Sequence, residues 1–346
     1  MLKNSKLEML NTRQKANNST LGRSHVMGPS YLKGTNMIYT VTLNTAVDRI
    51  VQIDGILTRK ANNKTKHAKY DIGGKATHVS VALSAMGIEN IATGVVGGLK
   101  GELMVNLMKA KGVNCHFFDQ PGAQTRESII LVDESGQGSY MITEKGFELS
   151  PSSIKQLVDF LSNNVTSTDI VVFAGSPPPG FSLEQYESLL AIVKKNQAKL
   201  VVDASGDFLT TALKQQPYLV KPNEFEFQEF VGKKLHSIDD FIEELQSLKT
   251  NIDIWIVSLG KRGSIAKYKD HIYVVTPPEV KEVNETGAGD FYVSGLVAKI
   301  YQEDTIENTL LFASAVGASK AMQTESSNFD LEQVNEIIKK CEMRKI

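Results

Sequence analysis

Residues Asn284-Glu-Thr-Gly-Ala-Gly-Asp-Phe291 set two glycines around one small residue and follow them at once with an acid. Phe291 to Ala298 reads as a helix, so the glycines stand at its mouth. Unpaired N–H groups at a helix start, reinforced by the positive end of the macrodipole, bind anions, and small residues let a phosphate approach the backbone. Asp290 would repel such a phosphate. It is suited instead to take a proton from an attacking hydroxyl while nearby amides stabilise charge on a transferred phosphoryl group. The alternative is an acid favourably placed in a first helical turn after a glycine loop. No GxxxxGK[ST] phosphate loop occurs, and Gly97-Gly-Leu-Lys100 does not fit one.

Other turns carry weaker signals of the same kind. In Asp71-Ile-Gly-Gly-Lys-Ala-Thr-His78, Gly73 and Gly74 permit a tight bend and Lys75 lands at a helix start. A cation there works against the dipole, which an anionic ligand would explain; a turn with a solvated lysine is the alternative. Asn44 and Asp48 close the first strand, where they could grip a polyhydroxylated ligand or simply form a turn. Asn223 and Glu226 are three apart, on one helix face. Their oxygens suit Mg²⁺ held through water, and the same pair could be a capping box after Pro222. Trp255 to Gly263 is a strand followed by glycines, a cradle for a nucleotide, and Gly175-Ser-Pro-Pro-Pro-Gly180 is a rigid loop that would shape a cleft.

These turns must be held by a scaffold. The 346 residues suffice for one large α/β domain, and 41% hydrophobic with 22% charged residues describes a soluble globular chain. A formal charge of −1 gives no reason to expect nucleic acid or an anionic membrane as partner. Cys115 and Cys341 lack metal-site or disulfide-framework spacing, which fits a reducing cytoplasm, and no apolar run approaches the ~20 residues of a membrane span. Met1 to Asn36 hold six Lys/Arg, one acid and scattered Asn, Ser and Gly, and read as a flexible N-terminal extension, with residues 37–346 forming the domain. From Met37 onward, short apolar strands (Ile38–Leu43, Ile91–Val96, Ile170–Ala174, Leu200–Asp203, Tyr218–Val220, Ile252–Val257) alternate with helices. The predicted helices include one from Lys75 to a stop at Gly87, Glu102 to Lys111, and Leu183 to Lys195. This rhythm predicts an α/β fold with a mostly parallel sheet covered on both faces, and ligands beyond the carboxyl ends of its strands. Val51 to Ile72 is polar and helix-poor, and Arg126 to Ile142 reads as a hairpin across Asp133-Glu-Ser-Gly-Gln-Gly138. Together they predict a small antiparallel lid, from about 48–72 and 125–143.

The order of these motifs resembles the PfkB, or ribokinase-like, carbohydrate kinases over Met37 to about Asp330. Gly287 to Asp290 is the specific signature, supported by the Gly73-Gly74-Lys75 turn and the Asn223/Glu226 pair. Leu43 to Asp48, Lys75, Thr125-Arg126, Gly175-Ser176 and Lys221-Pro-Asn223 are similar to the branch containing 1-phosphofructokinase and tagatose-6-phosphate kinase. The resemblance implies Asp290 as base, with the amides of Gly287, Ala288 and Gly289 as anion hole. It puts Asp48, Gly74, Lys75, His78 and Arg126 around the sugar phosphate, with Lys75 and Arg126 neutralising its phosphate. It gives Lys221, Asn223, Ser258, Gly260 and Gly263 to ATP, and Asn223 with Glu226 to Mg²⁺. It also implies a lid that excludes water, often serves in homodimerisation, and closes over a cytoplasmic enzyme's site.

Departures from the pattern fall at Thr45, Ala76, His78, Glu285 and Phe291. They leave three readings: a kinase of fructose 1-phosphate, a kinase of tagatose 6-phosphate, or a non-catalytic sensor of sugar phosphate and nucleotide on the same fold.

Overall fold

A computed structural model describes residues 36–136 and 138–346. The predicted extension therefore lies, but for Asn36, outside the described residues. The strands are β1 Ile38–Thr42, β2 Ala46–Ile53, β3 Thr65–Gly73, β4 Asn90–Val96, β5 Asn114–Asp119, β6 Arg126–Val132 and β7 Ser139–Thr143. They continue as β8 Ile170–Ala174, β9 Lys199–Asp203, β10 Leu219–Val220, β11 Ile254–Ser258, β12 Ser264–Tyr268, β13 His271–Thr276 and β14 Glu342–Lys345. Ten of them form one sheet in the order β14-β13-β12-β11-β10-β9-β8-β1-β4-β5. Pairing is parallel from β5 through β11 and antiparallel among β11 to β14. The mostly parallel ribokinase-like fold is thus present, with an antiparallel edge that the sequence did not announce.

Strand alternation builds a core on each face. Tyr39, Val41, Val171, Phe173, Leu200 and Val202 enter one cluster, while Ile38, Ile170, Val172 and Val201 enter the other. Both faces being apolar is why these strands read as unbroken hydrophobic runs. The predicted helix at Lys75 spans Lys75–Ala85, and Leu183–Lys195 begins with a capping box between Ser182 and Gln185. The helix expected at Glu102 starts earlier, at Gly98.

The four remaining strands form a second sheet, β3-β2-β6-β7. The hairpin of β6 and β7 is there, antiparallel as expected. The sheet as a whole is mixed, because β2 and β6 pair in parallel from Ala46↔Arg126 to Gln52↔Val132. A parallel pair needs a long crossover, and the intervening β3, β4, β5 and their helices supply it. The stretch before Thr286 is irregular; the preceding strand, β13, ends at Thr276.

Candidate active site

A cleft of about 710 Å³ opens between the carboxyl ends of β1 and β8 and the small sheet. Thr42, Asn44, Ala174 and Gly175 line it from the strand ends, Ser176 to Pro179 from the rigid loop, and Arg126, Ser128, Met141 and Thr143 from β6 and β7. Asp48, Gly74, Lys75, His78, Thr286, Gly287, Gly289 and Asp290 complete the wall. The cleft therefore unites the glycine turn at residue 74 with the one at residue 287, which are far apart in sequence.

Gly287 caps the Ala288–Tyr301 helix with φ 88°, a left-handed conformation that favours glycine. A Cβ on it would come within 2.8 Å of the Ser326 carbonyl and 3.3 Å of His78 Nδ1. Of the three predicted anion-hole residues, Gly287 and Gly289 face the cleft. Ala288 does not, and its N–H already donates to the Glu285 carbonyl at 2.9 Å. The helical turn that presents the glycines thus consumes the amide between them.

Asp290, in the first turn of the helix, is 7% exposed. Its Oδ2 lies 2.7 Å from His78 Nδ1, and His78 Nε2 lies 2.8 Å from the Ile72 carbonyl. Burial alone disfavours a charged His78, but the hydrogen bond to Asp290 and the charges of Asp290 and Asp48 raise its pKa above the ordinary value. Asp48, on β2, is pushed up to about 6 by burial.

Lys75 Nζ bonds Asp203 Oδ1 at 3.1 Å, and Lys221 Nζ stands 3.2 Å from Oδ2 of the same carboxylate. The charge of Asp203 is the main cause that raises the Lys75 pKa, with Asp290 and Glu226 contributing. Arg126 has different company: its Nη1 donates to the Glu144 carbonyl at 3.2 Å, and its charge is felt by Asp48 and Glu144. The two expected phosphate-binding cations therefore share the cleft but not their partners. Lys145 and Glu144 also line the cleft beside Arg126.

The predicted nucleotide residues cluster next door. Asn223 and Ser258 form an isolated parallel bridge at the ends of β10 and β11. Asn223 and Glu226 make a full capping box: Asn223 Oδ1 accepts from the Glu226 amide at 2.9 Å and Glu226 Oε2 from the Asn223 amide at 2.8 Å. Gly263, at φ 91°, packs its α-carbon so closely that a Cβ would meet the Val275 carbonyl at 1.9 Å. Lys221 Nζ joins the two regions, since it stands 3.9 Å from where a Cβ on Gly289 would be. Asn223, Ser258, Gly260 and Gly263 do not line the cleft that holds Asp290.

The model of the pfkB family carbohydrate kinases matches residues 41–333. The chain belongs to the pfkB family of carbohydrate kinases. It is a phosphotransferase by kinship, and the family implies use of ATP. Tagatose-6-phosphate kinase of Staphylococcus epidermidis is 30% identical over 314 residues, 89% of this chain and 99% of that one. Phosphofructokinase-2 of Escherichia coli, solved with substrates and products, is 26% identical over 88% of this chain and 99% of that one, with a TM-score of 0.83. A Thermotoga maritima structure described as a possible 1-phosphofructokinase shares the fold, with 24% identity, 90% and 100% coverage and a TM-score of 0.81.

Two of the departures from the family pattern, Glu285 and Phe291, have local explanations. Glu285 turns towards the connection between β6 and β7, where a Cβ on Gly138 would lie 3.0 Å from its Oε2, and its proximity raises the pKa of Glu282. Phe291 is fully buried, 5.4 Å from the Phe329 ring and 6.3 Å from the His78 ring. Sequence reading missed Asp203 and Lys320. Asp203 had a signal, a lone acid ending the apolar strand Lys199–Asp203. Lys320 had none. It sits fully buried in the Ile306–Ala321 helix, with Nζ donating to the Asn284 carbonyl at 2.9 Å. Among the described residues no helix is long and apolar enough to cross a membrane.

Proposed function

We propose that this chain transfers the γ-phosphoryl group of ATP to the primary hydroxyl of a ketohexose monophosphate. The preferred substrate is fructose 1-phosphate, giving fructose 1,6-bisphosphate. The observation that carries the reading is a single cleft lined both by the cations Arg126 and Lys145 and by Asp290 with Gly287 and Gly289. A sugar bearing a phosphate meets the cations, and its far hydroxyl meets the carboxylate. Asp48, elevated to about 6, stands beside Arg126 and suits hydrogen bonds to ring hydroxyls. Lys75 and Lys221, fixed on Asp203, carry one net positive charge to the glycine loop, where the migrating phosphoryl needs it.

Tagatose 6-phosphate is the second reading, favoured by the name of the Staphylococcus epidermidis relative. It also pairs one phosphate with one free primary hydroxyl.

No cluster of three or more His, Cys, Asp or Glu able to hold a metal occurs among the described residues. Asn223 and Glu226 offer only oxygens, partly engaged in capping, and amide carbonyl and carboxylate oxygens keep further lone pairs. That donor set fits Mg²⁺ that is bound mainly to nucleotide phosphates and touches the protein through water. Bound there, Mg²⁺ would neutralise charge on the phosphates.

ADP release measured over a panel of hexose phosphates and free hexoses tests the reading. Turnover confined to ketohexose monophosphates is expected. Equal turnover of unphosphorylated sugars, or none with any acceptor, would sink it.

A further inference from the structure

We propose that His78 is the positioning residue of the base. Its imidazolium holds one carboxylate oxygen of Asp290 and leaves the other to take the proton of the acceptor hydroxyl. The proposal rests on the kinase reading above and adds to it a residue that shapes the proton-transfer step without touching the sugar.

The ring is trapped between two acceptors. Nδ1 lies 2.7 Å from Asp290 Oδ2 and Nε2 lies 2.8 Å from the Ile72 carbonyl. A neutral imidazole has one N–H and one lone pair, so beside an ionised Asp290 it would set a lone pair against one of these oxygens. Two protons on the ring satisfy both. The ring is 3% exposed, so water does not relieve a mismatch.

Every element around the ring bears on its charge. Asp290 approaches from the Ala288–Tyr301 helix, Asp48 from β2 with Oδ2 3.8 Å from Nε2, and Asp71 from β3. On the other side of the ledger stand Lys75 in the ring's own helix, Arg126, which acts on Asp48, and Lys320, which feels Asp71 and Asp290. His78 also lies in the first turn of its helix, where the dipole disfavours a cation. Burial is the largest effect and opposes the charged ring, yet the hydrogen bond and charge of Asp290 together with the charge of Asp48 outweigh it, and the ring's pKa is raised.

The step then balances simply. The acceptor O–H bond breaks as its oxygen bonds the γ-phosphorus. The bond from that phosphorus to the β,γ-bridging oxygen breaks, ADP leaves with the electron pair, and the proton ends on Asp290. The imidazolium keeps both its protons throughout. Its work is to fix which oxygen faces the hydroxyl and to keep that carboxylate ionised before the hydroxyl arrives. When the ring loses a proton at high pH, one nitrogen's lone pair is set against either Asp290 or the Ile72 carbonyl, and the two-point hold is lost. Activity should therefore fall with a midpoint above the ordinary imidazole value of 6.5.

The test uses the full chain. His78→Ala should lower kcat about 10- to 100-fold, with little change in KM for the sugar phosphate. His78→Asn keeps a donor that does not titrate, so it should restore much of that loss and abolish the alkaline limb of the kcat–pH profile. Unchanged kcat in both variants with a raised sugar-phosphate KM, or an alkaline limb surviving in His78→Asn, overturns the proposal. A second arm needs no turnover: ¹⁵N-histidine NMR, with the His78 signal assigned by its loss in His78→Asn. Both ring nitrogens should be protonated at pH 7 in the wild type, and Asp290→Asn should lower the midpoint. A neutral ring at pH 7 overturns the proposal. If no acceptor turns over while the ring is still doubly protonated and responds to Asp290→Asn, the kinase reading fails and the pair stands.

Discussion

Lys75 Nζ lies 3.1 Å from Asp203 Oδ1, and the carboxylate it grips is 1% exposed. Burial works against an ionised Asp203, but the charges of Lys221 and Lys75 overcome it and hold its pKa below the usual carboxylate value. A depressed carboxylate pKa stabilises the fold above the unfolded value, about 3.9, and that contribution is lost as pH falls through the folded value. Asp203→Asn should cost about 3–5 kcal/mol at pH 7, because it strands the buried Lys221 ammonium and deprives the part-exposed Lys75 of its partner. Urea denaturation should show the deficit shrinking below about pH 4. A constant deficit down to pH 3 would remove Asp203 from this role.

The separate partners of Lys75 and Arg126 predict separate kinetic defects. Lys75→Met should lower kcat about 10²- to 10³-fold, the scale of removing one transition-state charge donor, with the sugar-phosphate KM within a few-fold. Arg126→Leu should mainly raise that KM. If the two variants exchange phenotypes, both cations have been assigned to the wrong end of the cleft.

Asp290→Asn removes the proton acceptor but keeps the volume. A loss of kcat of about 10²–10⁴ is expected, with ATP affinity by calorimetry unchanged. Retention of kcat would dismiss Asp290 as base.

Gly287→Ala forces a Cβ to within 2.8 Å of the Ser326 carbonyl at a positive φ. Backbone strain of about 1–3 kcal/mol should appear as a lower Tm, and kcat should fall more than any change in sugar-phosphate KM. A variant with wild-type Tm and kcat would show that the loop does not need this conformation.

Much of this was legible in the sequence because it depends on local rules. Gly74 followed by Lys75 marks the start of a helix, and the turn before Gly138 marks a hairpin. The glycines and acid of 287–290 also declared their chemistry, because helix termini and carboxylates behave alike wherever they occur. What stayed hidden depends on distance in space. Nothing in Lys75 alone says that it will share Asp203 with Lys221, and nothing in Ala288 says that its amide will be spent on Glu285. β5 and β14 are the edge strands of the large sheet and are exposed or half-buried along their length, which blurs their apolar signal. The parallel pairing of β2 with β6 escaped for the same reason as Asp203.

Lys320 offers a stability test far from turnover. Burial lowers its pKa to about 8, against 10.5 ordinarily. The folded state then releases this proton before the unfolded state does, so the unfolded chain holds more protons between those values. Wild-type stability should accordingly rise relative to Lys320→Met as pH goes from 8 to 10.5, by on the order of 3 kcal/mol. A flat difference across that range would mean that the ammonium is not desolvated.

His78 also stitches two bodies together. One nitrogen is tied to β3 of the small sheet through the Ile72 carbonyl, and the other to a helix packed on the large sheet through Asp290. Swinging the small sheet outward would tug on the same ring that aims the carboxylate. Were the small sheet to open for the sugar, access and the aim of the base would be coupled through this ring, and a mutation at the outer rim of that sheet would lower kcat without touching any reacting atom.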